Sequence, residues 1–250
     1  MPTSLILSTK SLYFGMIQVM ANLSDAPINA YTWTWGAIAV YAFTIKSISS
    51  YRRTKNPIAR KYSLLGFWFA TGMLFYGLPG FFTSDTDVLK HTYFFADVCI
   101  QISIQFGFWL SWFIGLRPYI KLKYLLGLTI PLSVLTLIIE FSTSMANVSQ
   151  NPHLLQYTDA ESVLILKSIM YLLVAVPLSF FLLKQVPNQN SISTKFQSLV
   201  SGLIPIIVTI AAVSNNIFDK GSDTAQSSVE LAIFFTVFFI AQLPRLKRFR

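Results

Sequence analysis

The sequence predicts an all-α membrane protein, a bundle of seven transmembrane helices. Three observations predict it. Apolar residues make up 54% of the 250-residue chain and charged residues only 12%, about half the ~25% charged share of soluble domains. The apolar residues gather in seven runs, each near the roughly 20 residues that cross a hydrocarbon core. The charges collect between those runs, mostly on one side.

The runs are residues 30–48, 62–83, 92–116, 124–143, 161–183, 196–218 and 224–243. The first opens on Tyr31, Thr32, Trp33, Thr34 and Trp35, the amphipathic side chains that settle at a membrane interface. Pro79, Pro131, Pro177 and Pro205 fall inside runs, where a membrane helix tolerates proline as a kink. The third run continues past its polar residues into Trp109 and Trp112 and ends at the basic stretch Arg117, Lys121 and Lys123. The seventh, "QSSVELAIFFTVFFIAQL", carries Ser227-Ser228-Val229-Glu230, which matches a capping box at a helix start.

Orientation follows from the lysines and arginines, which mark the inner side. Arg52, Arg53, Lys55, Arg60 and Lys61 fill the first connection. Arg117, Lys121 and Lys123 lie in the third, and Lys184 and Lys195 edge the fifth. Asp25, Asp85, Asp87, Asp159, Glu161, Asp219 and Asp223 all fall on the opposite side. The N-terminus is therefore expected outside and the C-terminus inside, in a multi-pass protein of the plasma (inner) membrane. The net charge of +9 is accounted for by this topology and by anionic lipid; nucleic acid is not an expected partner, and the lipid bilayer is.

Three regions result. Residues 1–29 form an extracytoplasmic segment whose "SLYFGMIQVM" is too short to span. It is read as an interfacial amphipathic helix, with a cleavable signal peptide as the other reading. Residues 30–243 are the seven-helix domain, and 244–250, "PRLKRFR", a short basic cytoplasmic tail with no effector domain. The sequons at Asn22 and Asn147 both fall outside.

Charges within spans are costly and mark functional candidates. Asp97, Glu140, Lys167 and Glu230 lie inside the runs, and the topology puts all four in the outer third of the membrane. Asp97, Gln101 and Gln105 are spaced by four, so on a helix they share a face. Thr129, Ser133, Thr136 and Glu140 trace a face on the fourth helix, and Tyr171 lies one turn below Lys167 on the fifth. Tyr76, Asn215 and Asn216 come near the same depth. Turned inward, these residues would wall a vestibule open to the outside. The candidate ligand-binding set is Asp97, Gln101, Gln105, Glu140, Lys167, Tyr171, Asn215 and Glu230. A structural reading stands beside it, with Asp97 and Lys167 pairing for stability alone.

The absences restrict the chemistry. Cys99 is the only cysteine, and His91 and His153 the only histidines, so thiol or histidine metal centres and bis-histidine haem lack ligands. Microbial rhodopsins share the topology but bind retinal through a lysine of the seventh helix, which has none here; covalent retinal is not expected. No cofactor or metal site, and no catalytic motif, is identified, and the sequence points away from an enzyme.

"SYRRTKNPIARKYSLLGFWFATGMLFYGL" (50–78), with a third helix running into "WLSWFIGLRPYIKLKYLLGLTIPL", resembles the N-terminal seven-helix sensor modules of bacterial histidine kinases. The resemblance covers the first four helices and implies a receptor-like sensor of a small ligand or cation. Such modules lead into a cytoplasmic signalling domain, so the resemblance implies a separate membrane or cytoplasmic protein partner here. Two other readings use the same polar residues: a small-molecule or proton-coupled transporter, and a structural subunit of a membrane complex.

Overall fold

The computed structural model describes residues 26–150, 153–189, 192–217 and 221–242, without the side chains of 149–150, 193, 197, 211–217, 221–229 and 241–242. Of the described residues, 84% are helical. The long helices, in chain order, are α1 (Ile28–Thr54), α2 (Pro57–Gly77), α3 (Thr86–Ser111), α4 (Leu122–Thr143), α5 (Glu161–Lys184), α6 (Ile192–Ile217) and α7 (Gly221–Gln242). Each overlaps one apolar run. Four are long and apolar enough to cross a membrane: α2 extended to Phe81, α3 extended to Leu116, α4 and α5. α6 and α7 hold shorter apolar stretches, Thr194–Ile210 and Glu230–Ile240. Outward-facing side chains are apolar; Ile45 and Leu128 are 67% exposed and Ile138 63%. Water penalises such a surface and a bilayer does not, so the chain is a helical membrane-embedded protein.

Local chemistry sets the helix ends. Lys55 closes α1 in the left-handed conformation, φ 54°, and Asn56 caps α2 through its side-chain oxygen to the Ile58 N–H at 2.9 Å, ahead of Pro57. Asp85 caps α3 by accepting from the N–H groups of Asp87 and Val88. Pro131, Pro177 and Pro205 lie within helices, but Pro79 does not. It sits in the 3-10 turn Leu78–Phe81 that ends α2, because its ring and missing N–H cannot continue the α-helical ladder. Helix α7 begins at Gly221, so Glu230 lies well inside it and the capping box at Ser227 marks no helix start. Residues 1–25 and the tail 244–250, with the sequon at Asn22, lie outside the described residues.

The helices close a ring: α1 packs on α2 and α7, α2 on α3, α3 on α5, α5 on α6, and α6 on α7. α4 packs on α3 and α5, and its buried side chains are Thr129, Ser133, Thr136 and Glu140. One core joins α1, α2, α6 and α7 around Ala37, Met73, Val200, Leu231 and Phe235.

Among the described residues the fold departs from all-α in one place. β1 (Met145–Gln150) and β2 (His153–Thr158) pair antiparallel between α4 and α5, with Gln150 opposite His153. This stretch reads as a loop in sequence because its strands are short and poor in β-branched residues. Their apolar side chains find a partner only in the folded bundle: Leu154 and Leu155 are buried, Leu155 among Ala26, Ala30, Phe81 and Leu89. Gly80 admits it, since a Cβ there would stand 2.7 Å from Leu155 Cδ1.

Gly77 lets α1 and α2 approach closely. A Cβ there would meet the Ala30 carbonyl oxygen at 2.7 Å and the Thr34 nitrogen at 2.9 Å, both backbone atoms that cannot swing aside. Gly77→Ala is therefore expected to destabilise by about 1–3 kcal/mol. Gly127→Ala on α4, where a Cβ meets nothing within 4 Å, should be neutral or stabilising by up to about 1 kcal/mol. Thermal unfolding of both variants in detergent or nanodiscs checks the contrast.

Candidate functional site

Lys167 projects from α5 into a space with almost no solvent, being 2% exposed. An unpaired ammonium there would be very costly, and three elements answer it. Its Nζ forms ion pairs with Asp97 of α3 and, at 2.6 Å, with Asp159 at the foot of the hairpin, and it stands 3.3 Å from the Glu140 carboxyl group of α4. It also donates to the Tyr93 hydroxyl at 3.1 Å. Asp97 accepts from the Tyr76 hydroxyl as well. Asp159 accepts from Tyr93 at 2.7 Å and from Ser144. Three carboxyl groups thus surround one ammonium in a space where all four are buried.

A polar seam continues from this cluster along α3 and α4. Ser133 donates to Gln101 at 2.8 Å and receives the Gln105 amide at 2.8 Å, while Thr129 donates to the Gln105 carbonyl at 2.8 Å. The two polar faces expected from spacing therefore close on each other, and no vestibule separates them. This is how a membrane helix with a polar face is held, by hydrogen bonds across the interface.

The open space lies on the other side of α3. A cavity of about 240 Å³ lies within the ring, walled by α1, α2, α3, α5 and α6 and by β2. Leu65, Phe69, Ile104 and Leu178 give it an apolar body, and Tyr76, Tyr93, Tyr157, Lys167 and Tyr171 line its polar end beside Trp33. The rings at that end touch one another: Tyr93 stacks on Tyr157 with centroids 4.2 Å apart, and Tyr76 stands 5.7 Å from Trp33.

The hairpin contributes Leu155, Gln156 and Tyr157 to this wall. The Asn29 side chain fixes it as an extra strand would, donating to the Leu155 carbonyl at 2.7 Å and accepting from its N–H at 2.9 Å. Tyr157 donates to the Tyr76 carbonyl at 3.1 Å. Burial, with a smaller contribution from the Asp97 charge, pushes the Tyr157 phenol above its ordinary range, so it remains a donor.

The expected site residues divide into groups. Asp97, Glu140 and Lys167 meet in the cluster, Gln101 and Gln105 form the seam, and Lys167 and Tyr171 line the cavity. Glu230 is exposed on α7 and does not join the cluster, and the side chains of Asn215 and Asn216 lie outside the described residues. Trp109 and Trp112 do not line the cavity; Trp112 donates to the Ile120 carbonyl at 2.7 Å. Sequence reasoning missed Asp159, placed among loop acids, and the pair Asn29 and Tyr157. The available signal was the position of Asp159, eight residues before the span lysine and next to an apolar helix start.

Removing the ammonium leaves three buried carboxyl groups without their cation. Lys167→Met should cost about 3–5 kcal/mol of stability, and adding Asp97→Asn in the same chain should recover part of it. Denaturant or thermal unfolding of single and double variants measures both steps.

Comparison with protein-family models, with curated proteins and with solved structures finds no match to this chain.

Proposed function

We propose that this chain is a seven-helix receptor-like membrane protein, N-terminus outside and C-terminus inside the plasma membrane. In this reading it binds a small amphipathic molecule in the central cavity and signals to a separate partner. The observation that carries the reading is the cavity of about 240 Å³ whose polar end is the Lys167 and tyrosine wall. Its size is just under the ~300–1,000 Å³ of drug-sized ligand sites, which favours a small molecule. The lysine and arginine asymmetry supports the orientation, and the packing of α1, α6 and α7 into one bundle with the four apolar helices supports seven spans. The resemblance to histidine-kinase sensor modules fits a signalling role.

Charge favours an amine. An ammonium has three donors, and Lys167 already directs them at Asp97, Asp159 and the Tyr93 hydroxyl. Behind the polar end Asp97 and Asp159 outnumber Lys167, so the charge there is net negative, and the tyrosine and tryptophan rings offer π-faces, both attractive to a cation. Titration with 2-phenylethylamine, 2-phenylethanol and phenylacetate tests this, read through the fluorescence of Trp33, which lines the cavity. Saturable binding is expected, tightest for the amine and weakest for the acid. The response should vanish in Trp33→Phe. Val208→Trp, which fills the opposite wall, should raise the amine Kd at least tenfold, or about 1.4 kcal/mol. Absence of saturable binding by all three compounds, or preference for the acid, sinks the reading.

One observation favours a transporter instead: the seam Gln101–Ser133–Gln105–Thr129 leads away from the cluster along α3 and α4. A path predicts that cysteines at positions 105 and 129 are labelled from the inner side of oriented vesicles. A receptor with a closed seam predicts protection of both.

A further inference from the structure

Glu140 is buried completely, and neither of its carboxyl oxygens receives a hydrogen bond. Lys167 stands 3.3 Å away, but its donors point at Asp97, Asp159 and Tyr93. An ionised carboxylate is acceptor-only, so Glu140 as an anion would be an orphan in a buried space. Its carboxyl group and that of Asp97 converge on the same Lys167 ammonium. Two carboxyl groups can hydrogen-bond only when one of them carries a proton; otherwise they repel, the logic of a shared-proton dyad.

A metal ion is the poorer occupant. Asp97 Oδ1 already accepts from Tyr76 and its Oδ2 from Lys167, and hard cations collect six or more oxygen ligands. A proton needs only the two carboxyl groups.

We propose that Asp97 and Glu140 form a proton-binding site in which Glu140 carries the proton, donates it to Asp97, and thereby docks α4 onto α3. The consequence is large for α4 because its buried side chains are Thr129, Ser133, Thr136 and Glu140, all polar. Release of the proton places two adjacent carboxylates across that interface, leaving the seam of Gln101, Gln105, Ser133 and Thr129 and the apolar contacts of Leu125, Leu132 and Phe141 to hold the helix. The charged and titratable groups facing Glu140 are Asp97 and Tyr93 of α3, Lys167 and Tyr171 of α5, and Asp159 of the hairpin foot. The site requires no ligand in the cavity and stands or falls independently of amine binding.

Two measurements on the full chain in nanodiscs test it. Infrared spectroscopy at neutral pH should show the carbonyl stretch of a protonated carboxylic acid, shifted by deuterium exchange and absent from Glu140→Gln. Its absence from the unmutated protein, or its survival in Glu140→Gln, overturns the assignment. Docking is read by thiol labelling of Thr136→Cys in a Cys99→Ala background, position 136 being fully buried on α4. Raising the pH from about 7 to about 9.5 should accelerate labelling several-fold more in that chain than in the same chain with Glu140→Gln, whose neutral amide cannot lose a proton. The control shares the thiol chemistry, so equal acceleration in both overturns the docking role.

Discussion

The burial of one ammonium organises this protein. A lysine in a membrane bundle must be answered by acids, and here the answers come from α3, α4 and the hairpin foot at once. The electrostatic demand of Lys167 thus fixes how three separate elements sit around α5. The apolar packing that usually specifies a fold is weak for α4, whose buried face is polar. Lipid tails solvate an apolar helix as well as other helices do, so polar contacts are what give such a helix a definite place.

The same cluster divides the interior into two compartments of different character. On one side of α3 lies a seam whose side chains hydrogen-bond directly across the two helices. On the other lies a cavity with apolar walls and an aromatic, polar end. Lys167 belongs to both, being paired to the seam's acids while lining the cavity. Occupancy of the cavity and the charge balance at the α3–α4 interface therefore share one residue, a physical route by which one could influence the other.

The fold was largely legible because hydropathy runs report what a bilayer requires, and every described long helix overlaps one. Spacing also gave the polar face of α4 residue by residue. What failed was direction around the axis and the hairpin between α4 and α5. Depth alone grouped Glu230 with Asp97 and Lys167, yet α7 turns it to the surface, and no count along the chain reveals that rotation. Asp159 was invisible for the opposite reason: a loop acid looks solvated until a hairpin folds it inward. The hairpin itself has weak strand propensity, and its order comes from Asn29, Gly80 and Tyr93, all distant in sequence.

The hairpin also bears on time as well as shape. Asn29 binds the Leu155 backbone in both directions, Tyr157 is stacked on Tyr93, and Asp159 is tied to Lys167. A molecule leaving the cavity past β2 must break these contacts together, because they sit on one short two-stranded unit. Departure by that route would then follow the opening rate of the hairpin rather than the strength of the ligand's own contacts. A weakly held guest could have a long residence time, and the lifetime of the bound state would be a property of the protein.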